Sequence, residues 1–464
     1  MKNRALIGLA LGLAALPPNA AAALPVQAST FEAGEAADRA PEPGSRLRVW
    51  LLTTGPGDAV WERFGHNALR VLDTETGRDV AYNWGIFDFD QVDFVPRFLK
   101  GQMLYMMAPF STAAMVDSYA RANREVVMQE LALTPSQRLM LLELAEVNAL
   151  PRNRDYSYDY FLDNCSTRIR DLLDQVLGGA LFEQLGTRET GTSYRTHTRR
   201  LTQIDPVVFT GMDVLLGSPG DRPISLWEEM FVPMTLRDAI RDATVTNGDG
   251  LEVPLVMAEE VVVPSTRKTE PVRAVSWFWR YLVLGALMGG GLAWVGRRAA
   301  TGARSFRVLL GALASTWSLL AGVSGLILVL VLLTDHWSMT RNESLFLLNP
   351  VSLPLVVLAP LALGGRDAAV RHARILGFVA VGVATLGLLF QLLPATGQQT
   401  GMLFALFLPI HIGLATALNA VATVSRSEPG VPPRRAFSLQ GSAPDAHRTR
   451  PPWRPVLGLG DPDS

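Results

Sequence analysis

Between residues 275 and 425 the chain runs through five apolar stretches, near 275–296, 307–333, 350–364, 375–393 and 402–424. An apolar helix of about 20 residues spans a bilayer, so this half is expected to form a C-terminal bundle of about five transmembrane helices. The third stretch is short for a span. Arginines mark the breaks. Arg297, Arg298, Arg304 and Arg307 separate the first two stretches, Arg366, Arg371 and Arg374 the third and fourth, and Arg426, Arg434 and Arg435 follow the fifth. Cytoplasmic loops carry the Lys/Arg excess, which puts these clusters inside. Segment 334–349, loop 394–401 and the region 45–270 are then outside.

The N-terminus agrees with export. Met1-Lys2-Asn3-Arg4 precedes a short apolar run from Ala5 to Leu16, and small residues follow as far as Val26-Gln27-Ala28. That order is a secretory signal, residues 1–28, with an uncleaved anchor as the alternative. Residues 29–46 are rich in Ala, Glu and Pro and read as a linker. Residues 47–270 form an extracytoplasmic domain, 275–425 the membrane domain, and 426–464 a Pro- and Arg-rich disordered cytoplasmic tail. Across 464 residues, 42 basic and 43 acidic side chains leave a net charge of −1, with no basic run dense enough to bind nucleic acid. Neither a zinc-type Cys/His cluster nor a glycine-rich phosphate loop is present, so no metal or cofactor is expected.

The exported domain mixes strands and helices. Residues 47–53, 67–72 and 79–84 alternate as strands, with Gly77 in the turn between the last two. A helix is expected over 112–124 with Ser111 as its cap, then a strand over 125–133. Thr134-Pro135-Ser136-Gln137 opens another helix that continues to Leu150. The single cysteine, Cys165, lies in Asp163-Asn164-Cys165-Ser166-Thr167-Arg168, and Ile169, Leu172, Leu173, Val176 and Leu177 follow at helical spacing. A thiol at a helix N-terminus has a lowered pKa and is a better nucleophile. The competing reading is a buried cysteine acting as a small hydrophobe, against which its polar neighbours argue. A thiolate needs a base. His66, in Phe64-Gly65-His66-Asn67-Ala68-Leu69-Arg70 at the mouth of a strand, is the best candidate, against a plain capping or core role. His197, in the polar stretch Tyr194-Arg195-Thr196-His197-Thr198, reads as a solvated loop residue.

Three segments resemble the Lnb family of lipoprotein intramolecular transacylases, in its N-terminal periplasmic domain. They are Phe64 to Val71, Tyr82-Asn83-Trp84-Gly85-Ile86-Phe87-Asp88-Phe89, and Tyr158 to Arg168. Leu215 to Arg222, Met230-Phe231-Val232-Pro233 and Asn342 to Pro350 are similar to further blocks of that family. The histidine-before-cysteine order also resembles permuted papain-like enzymes. The resemblance implies an α+β, permuted papain-like (NlpC-type) extracytoplasmic domain on a bacterial inner (cytoplasmic) membrane, facing the periplasm. It implies a thiol acyltransferase whose partners are a diacylated lipoprotein and membrane lipids. An acyl chain would pass from the diacylglyceryl group to the N-terminal cysteine amine through a Cys165 thioester. Cys165 is then nucleophile and His66 base, with Asn83 expected to orient His66. Asn164 either caps the helix or bonds the oxyanion, and N–H groups at the helix start hold that oxyanion. Arg168 either meets lipid phosphate or forms a surface ion pair, and the polar outer loop with His336 and Asn342 is expected to touch head groups. Trp337 reads as an interfacial anchor, and His411, inside the last stretch, as a functional or helix-bonding residue. Phe87, Phe89, Phe94, Phe98, Tyr105 and Phe110 either line an acyl groove or, for most of them, enter the core. Two other classes stay open: an NlpC-type cell-wall amidase or peptidase, and a non-catalytic membrane-anchored binding module.

Reporter fusions after Thr266, Ala300, Arg341 and Pro429 are expected to read outside, inside, outside and inside. An inside signal at Arg341 would remove one of the spans.

Overall fold

The computed structural model describes residues 42–88, 90–393 and 397–427. The signal segment, most of the linker, Phe89 and the tail beyond 427 lie outside the described residues.

One antiparallel sheet organises the exported domain. Its strands are β1 (Leu47–Thr54), β2 (His66–Asp73), β3 (Asp79–Ile86), β4 (Leu104–Ser111), β5 (Val126–Leu131), β6 (Asp155–Ser157) and, from far along the chain, β11 (Val256–Val263). Their order across the sheet is β11-β5-β1-β2-β3-β4-β6. Two ribbons, β7 (Glu189–Ser193) with β8 (Pro223–Ser225) and β9 (Thr244–Thr246) with β10 (Glu252–Pro254), stand apart from it. The helices are α1 (Phe94–Lys100), α2 (Thr112–Arg121), α3 (Pro135–Ala149), α4 (Cys165–Val176), α5 (Ala180–Leu185), α6 (Tyr194–Thr202), α7 (Pro206–Leu215), α8 (Leu226–Glu229) and α9 (Pro233–Asp242).

The strands form because their apolar residues alternate and bury both faces. Leu47, Val49, Leu51, Leu69, Val71, Tyr82 and Trp84 pack on one face against α3, α4 and α9 through Leu141, Ile169, Leu173 and Leu236. Trp50, Leu52, Ala68 and Ala81 face the other way, against Met115 of α2. Thr134 caps α3 in a full capping box with Gln137, as its sequence predicts. The sequence reading missed β4 and β11. It also took the His197 stretch for a loop, and that stretch is α6, with His197 buried.

The reason is that α6 buries its polar face. Arg195, fully buried, donates to Asp221 (2.8 Å), to Asp213 (2.9 Å) and to the Leu216 carbonyl (2.6 Å). His197 Nε2 lies 3.1 Å from Thr192 Oγ1 and 3.3 Å from Glu229, and Arg200 donates to Glu270 (2.6 Å). A search for apolar periodicity cannot find a helix whose buried residues are ionic.

The C-terminal half holds α10 (Phe278–Ala300), α11 (Arg304–Val331), α12 (Leu355–Leu363), α13 (Asp367–Phe390) and α14 (Gly401–Ser427). All but α12 are long and apolar enough to cross a membrane. The third expected span, 350–364, is instead a helical pair, Glu343–Ser352 and Leu355–Leu363, bent by 52°. Pro350, Pro354 and Pro360 fall in that stretch, and proline removes N–H donors and clashes within a continuous helix. The outer loops meet the exported domain. The Asp335 N–H donates to the Lys100 carbonyl (2.8 Å), the Gly217 N–H to the Ser338 carbonyl (2.8 Å), and Arg199 to the side chain (3.3 Å) and carbonyl of Gln399. Segments 335–349 and 397–400 therefore share one end of the bundle, as the charge pattern requires. His411 lies in α14, buried, with Nε2 2.8 Å from the Leu347 carbonyl.

Arg195→Ala would leave Asp213 and Asp221 short of their buried partner. Removing one member of a buried ion pair costs about 3–5 kcal/mol. A loss of that order should appear as a clear drop in the thermal midpoint of detergent-solubilised protein. An unchanged midpoint would mean that the network is not holding the junction.

Candidate active site

Cys165 is the first residue of α4, and Asn164 is its N-cap. Asn164 Oδ1 accepts from the Ser166 N–H (2.9 Å) and the Thr167 N–H (3.0 Å), while Thr167 Oγ1 accepts from the Asn164 N–H (2.8 Å). Asn164 Nδ2 donates to the carbonyls of Tyr160 (3.0 Å) and Phe231 (2.9 Å). Both side-chain atoms are engaged, so of the two roles the sequence offered, Asn164 takes the cap, the one it favoured. The cap also takes two of the first-turn N–H groups expected at an oxyanion. The one it leaves is that of Cys165 itself.

His66 begins β2, one strand away from Asn83 on β3. Ala68 pairs with Asn83 across the ladder. Alternation puts His66 and Asn83 on the α2 side of the sheet, whereas α4 packs on the other side. The thiol and imidazole therefore meet around the end of the sheet. Two glycines allow this. Gly65 (φ +82°) turns the chain into β2, and a Cβ there would lie 2.7 Å from the Thr54 carbonyl oxygen. Gly85 (φ +85°) sits where the β3–β4 register shifts between Asn83 and Ile86, and a Cβ there would touch Cys165 Cβ at 3.7 Å. A bulge of this kind re-aims a strand beside a site.

His66 Nε2 lies 3.1 Å from Asn83 Oδ1, and Asn83 Nδ2 donates to the Ala81 carbonyl (3.0 Å). That orientation makes Nε2–H the donor to Asn83 and leaves Nδ1 for the sulfur. Burial pushes the Cys165 thiol up. The His66 charge, the hydrogen bond from His66 and the N–H groups of Asn67 and Ser166 outweigh it, and the net shift is down. Burial likewise lowers His66, but the thiolate, its hydrogen bond and Asn83 raise it overall. Each group thus favours the charged form of the other. Cys165 is buried, contrary to the expectation drawn from its polar neighbours, because those neighbours are buried with it and bonded. Ser166 Oγ donates to Asn67 Oδ1 (2.5 Å), and Asn67 Nδ2 donates to Thr53 Oγ1 (2.8 Å). The sequence reading did not single out Asn67 or Ser166. Their signal was a polar residue at a buried phase of a strand and of a helix.

Aromatic rings line the approach to Cys165. A Cβ at Gly85 would lie 3.6 Å from the Tyr158 ring and 3.7 Å from Cys165 Cβ, and Tyr158 stacks on Tyr105 at 4.0 Å. Tyr105 packs on Phe87 at 5.4 Å, and Phe87 meets Trp61 edge-on at 6.3 Å. Of the aromatics between the His66 and Cys165 segments, Phe87, Phe94 and Tyr105 are half-buried and Phe98 and Phe110 exposed, so none of these five is a core residue.

Other expected contacts are not free. Arg168 donates to both oxygens of Asp163 (2.6 and 2.7 Å) and lies 3.7 Å over the Tyr156 ring, which fits the ion-pair alternative and not a phosphate ligand. His336 Nε2 donates to the Phe98 carbonyl (3.0 Å). Asn342 is buried, with Nδ2 on the Val214 and Leu215 carbonyls (2.8 and 2.9 Å). It joins the two halves and meets no head group. Trp337 is no simple anchor, since its Nε1–H donates to Asp159 Oδ2 (2.6 Å), whose other oxygen accepts from the Phe161 and Leu162 N–H groups just before Cys165.

Residues 39–201 match the Lnb N-terminal periplasmic domain, a stretch that contains His66, Asn83 and Cys165. No curated protein and no solved structure matches the chain. That match, followed by four or five helices long and apolar enough to cross a membrane, makes this a multi-pass membrane protein.

The downward shift of the thiol predicts a pH profile for alkylation of Cys165 by iodoacetamide. The rate follows the thiolate, so its inflection should fall below the ordinary thiol value of about 8.5. In His66→Ala only the Asn67 and Ser166 N–H groups still oppose burial, and the inflection should rise relative to the parent chain. Coincident profiles would mean that His66 does not charge the sulfur.

Proposed function

We propose, for a chain that joins a stretch matching the Lnb periplasmic domain to a buried cysteine–histidine pair, a membrane-bound thiol acyltransferase acting on diacylated lipoproteins at the inner membrane. The observation that carries the reading is the His66–Cys165 pair with Asn83 behind it, set beside membrane helices.

In this mechanism the thiolate attacks the carbonyl of the glyceryl sn-2 ester. The Cys165 N–H faces the oxyanion, and a preorganised donor of this kind stabilises charge as it develops. The imidazolium of His66 protonates the departing glyceryl oxygen, leaving a thioester on Cys165 and a neutral imidazole. The α-amine of the lipoprotein's N-terminal cysteine then attacks the thioester. His66 takes the amine proton as the amide forms, and the thiolate leaves. Asn83 keeps Nδ1 aimed at the sulfur throughout. A cysteine helix laid on an antiparallel sheet that carries the histidine is also how permuted papain-like enzymes are built, and we assign the domain to that fold. The wall of Trp61, Phe87, Tyr105 and Tyr158 suits an acyl chain better than a cell-wall peptide.

Purified protein in detergent, given a diacylated lipopeptide, should yield an N-acylated lyso-form of unchanged total mass. Cys165→Ala should abolish this while accumulating in the membrane, and His66→Ala should lose about 10²–10⁴-fold. Unchanged lipopeptide together with cleaved peptide stems would establish the amidase reading instead.

A further inference from the structure

The connection from β3 to β4 makes an excursion whose crest is α1. Val92, Val95, Phe98 and Leu99 lie within one side of that turn and are 83%, 61%, 50% and 63% exposed, while Arg97 and Lys100 take the opposite side. Three large apolar side chains open to water on one short helix, with Val92 just before it, need a covering partner.

The neighbours of α1 say which one. Its last residue is tied to the top of α11. The Asp335 N–H donates to the Lys100 carbonyl (2.8 Å), His336 Nε2 to the Phe98 carbonyl (3.0 Å) and Gln102 Nε2 to Asp335 Oδ2 (2.8 Å). Gly101 ends α1 at φ +76°, and a Cβ there would lie 2.9 Å from the His336 nitrogen, so the two backbones are in direct contact. At 1.5 Å per residue the 28 residues of α11 span about 42 Å. That exceeds a hydrocarbon core of about 30 Å, so a helix entering at Arg304 on the inner face surfaces near Val331. Leu330, Leu332 and Leu333 are exposed at that end of α11. A second exposed pair, Ile204 and Val207, flanks α7, whose Thr210 hydroxyl lies 2.6 Å from the Tyr281 hydroxyl on the first turn of α10. Both patches stand at the outer end of the bundle.

We propose that α1 is an interfacial helix, sunk by Val92, Val95, Phe98 and Leu99 into the outer leaflet of the membrane that α10–α14 span. Its partner is the lipid surface, with acyl chains against the apolar side and anionic head groups within reach of Arg97 and Lys100. The two roots of the excursion are Phe87 and Tyr105, which pack on each other and, through Tyr158, on the Cys165 site. The helix thus sets the mouth of the aromatic cleft at the depth where a glyceryl ester sits. What it delivers rests on the acyl-transfer reading, whereas its place in the lipid does not.

The test uses the full chain in liposomes, with Cys165→Ala as background and one new thiol at a time, Val95→Cys or Leu99→Cys, carrying an environment-sensitive fluorophore. Thr76→Cys, in the turn at the far end of β2 and β3, is the reference. Brominated acyl chains should quench the label at 95 and 99 at least about twofold more than at 76, as expected for side chains below the head groups. Equal quenching at all three positions would overturn the proposal. So would a disulfide-linked dimer through position 95 without quenching, which would assign the face to a second copy. Acyl transfer by the unlabelled chain that keeps Cys165, together with no lipid contact at 95 and 99, would sink this inference alone, and lipid contact at 95 and 99 with no acyl transfer by the chain that keeps Cys165 would sink the transacylase reading alone.

Discussion

The hydrogen bond from Ser166 Oγ to Asn67 Oδ1 joins the two segments that supply sulfur and imidazole. Each partner is the chain neighbour of a member of the pair, and the two lie 99 residues apart in sequence. Asn67 is itself held by Thr53 on β1, so β1, β2 and the first turn of α4 form one block. All of these groups are buried. In such surroundings an unmade hydrogen bond is costly, so the clamp has one good geometry and few alternatives. Electrostatics then follow from position. Cys165 and His66 shift each other toward their charged forms because the block does not let them separate.

The exported domain is fixed to the membrane half, not hung from it. Hydrogen bonds cross the junction at Asp335 to Lys100, Trp337 to Asp159, Asn342 to Val214 and Leu215, and Arg199 to Gln399. Domains joined by one linker move by default, and these contacts remove that freedom. Trp337 carries particular weight, because Asp159 also braces the turn that leads into Cys165.

Much of the frame was legible. Flanking arginines and apolar length located the long helices. The alternation of β1 to β3, the capping box of α3 and the cap at Asn164 each have a local cause that reads directly from the chain. Cys165 could be singled out as the single cysteine and His66 as one of two histidines in the domain, whereas Asn83 was picked only as a polar residue on the next strand. What could not be read depended on distant partners. The polar face of α6 is buried only because Asp213, Asp221 and Glu270 come to it. Arg168 looks available until Asp163 is seen beneath it, and Asn342 looks like a head-group ligand until two carbonyls of α7 are found against it. The break in the third stretch was announced by three prolines, but its role as a joint with the exported domain was not.

Strand β5 is buried along its whole length, and β11 covers its outer edge. The matched stretch stops at residue 201, yet β11 closes the sheet with Val256–Val263. During synthesis that edge stays open until β11, the last strand of the sheet in the chain, has been made. Only the short stretch from Val263 to Phe278 then separates the closing strand from the first span. Completion of the sheet and arrest of α10 in the bilayer are thus nearly simultaneous in the life of the chain. An apolar strand edge left open invites pairing with another chain. A fragment cut at the matched boundary would keep that edge open permanently, so the smallest soluble piece that preserves the sheet must run past Val263.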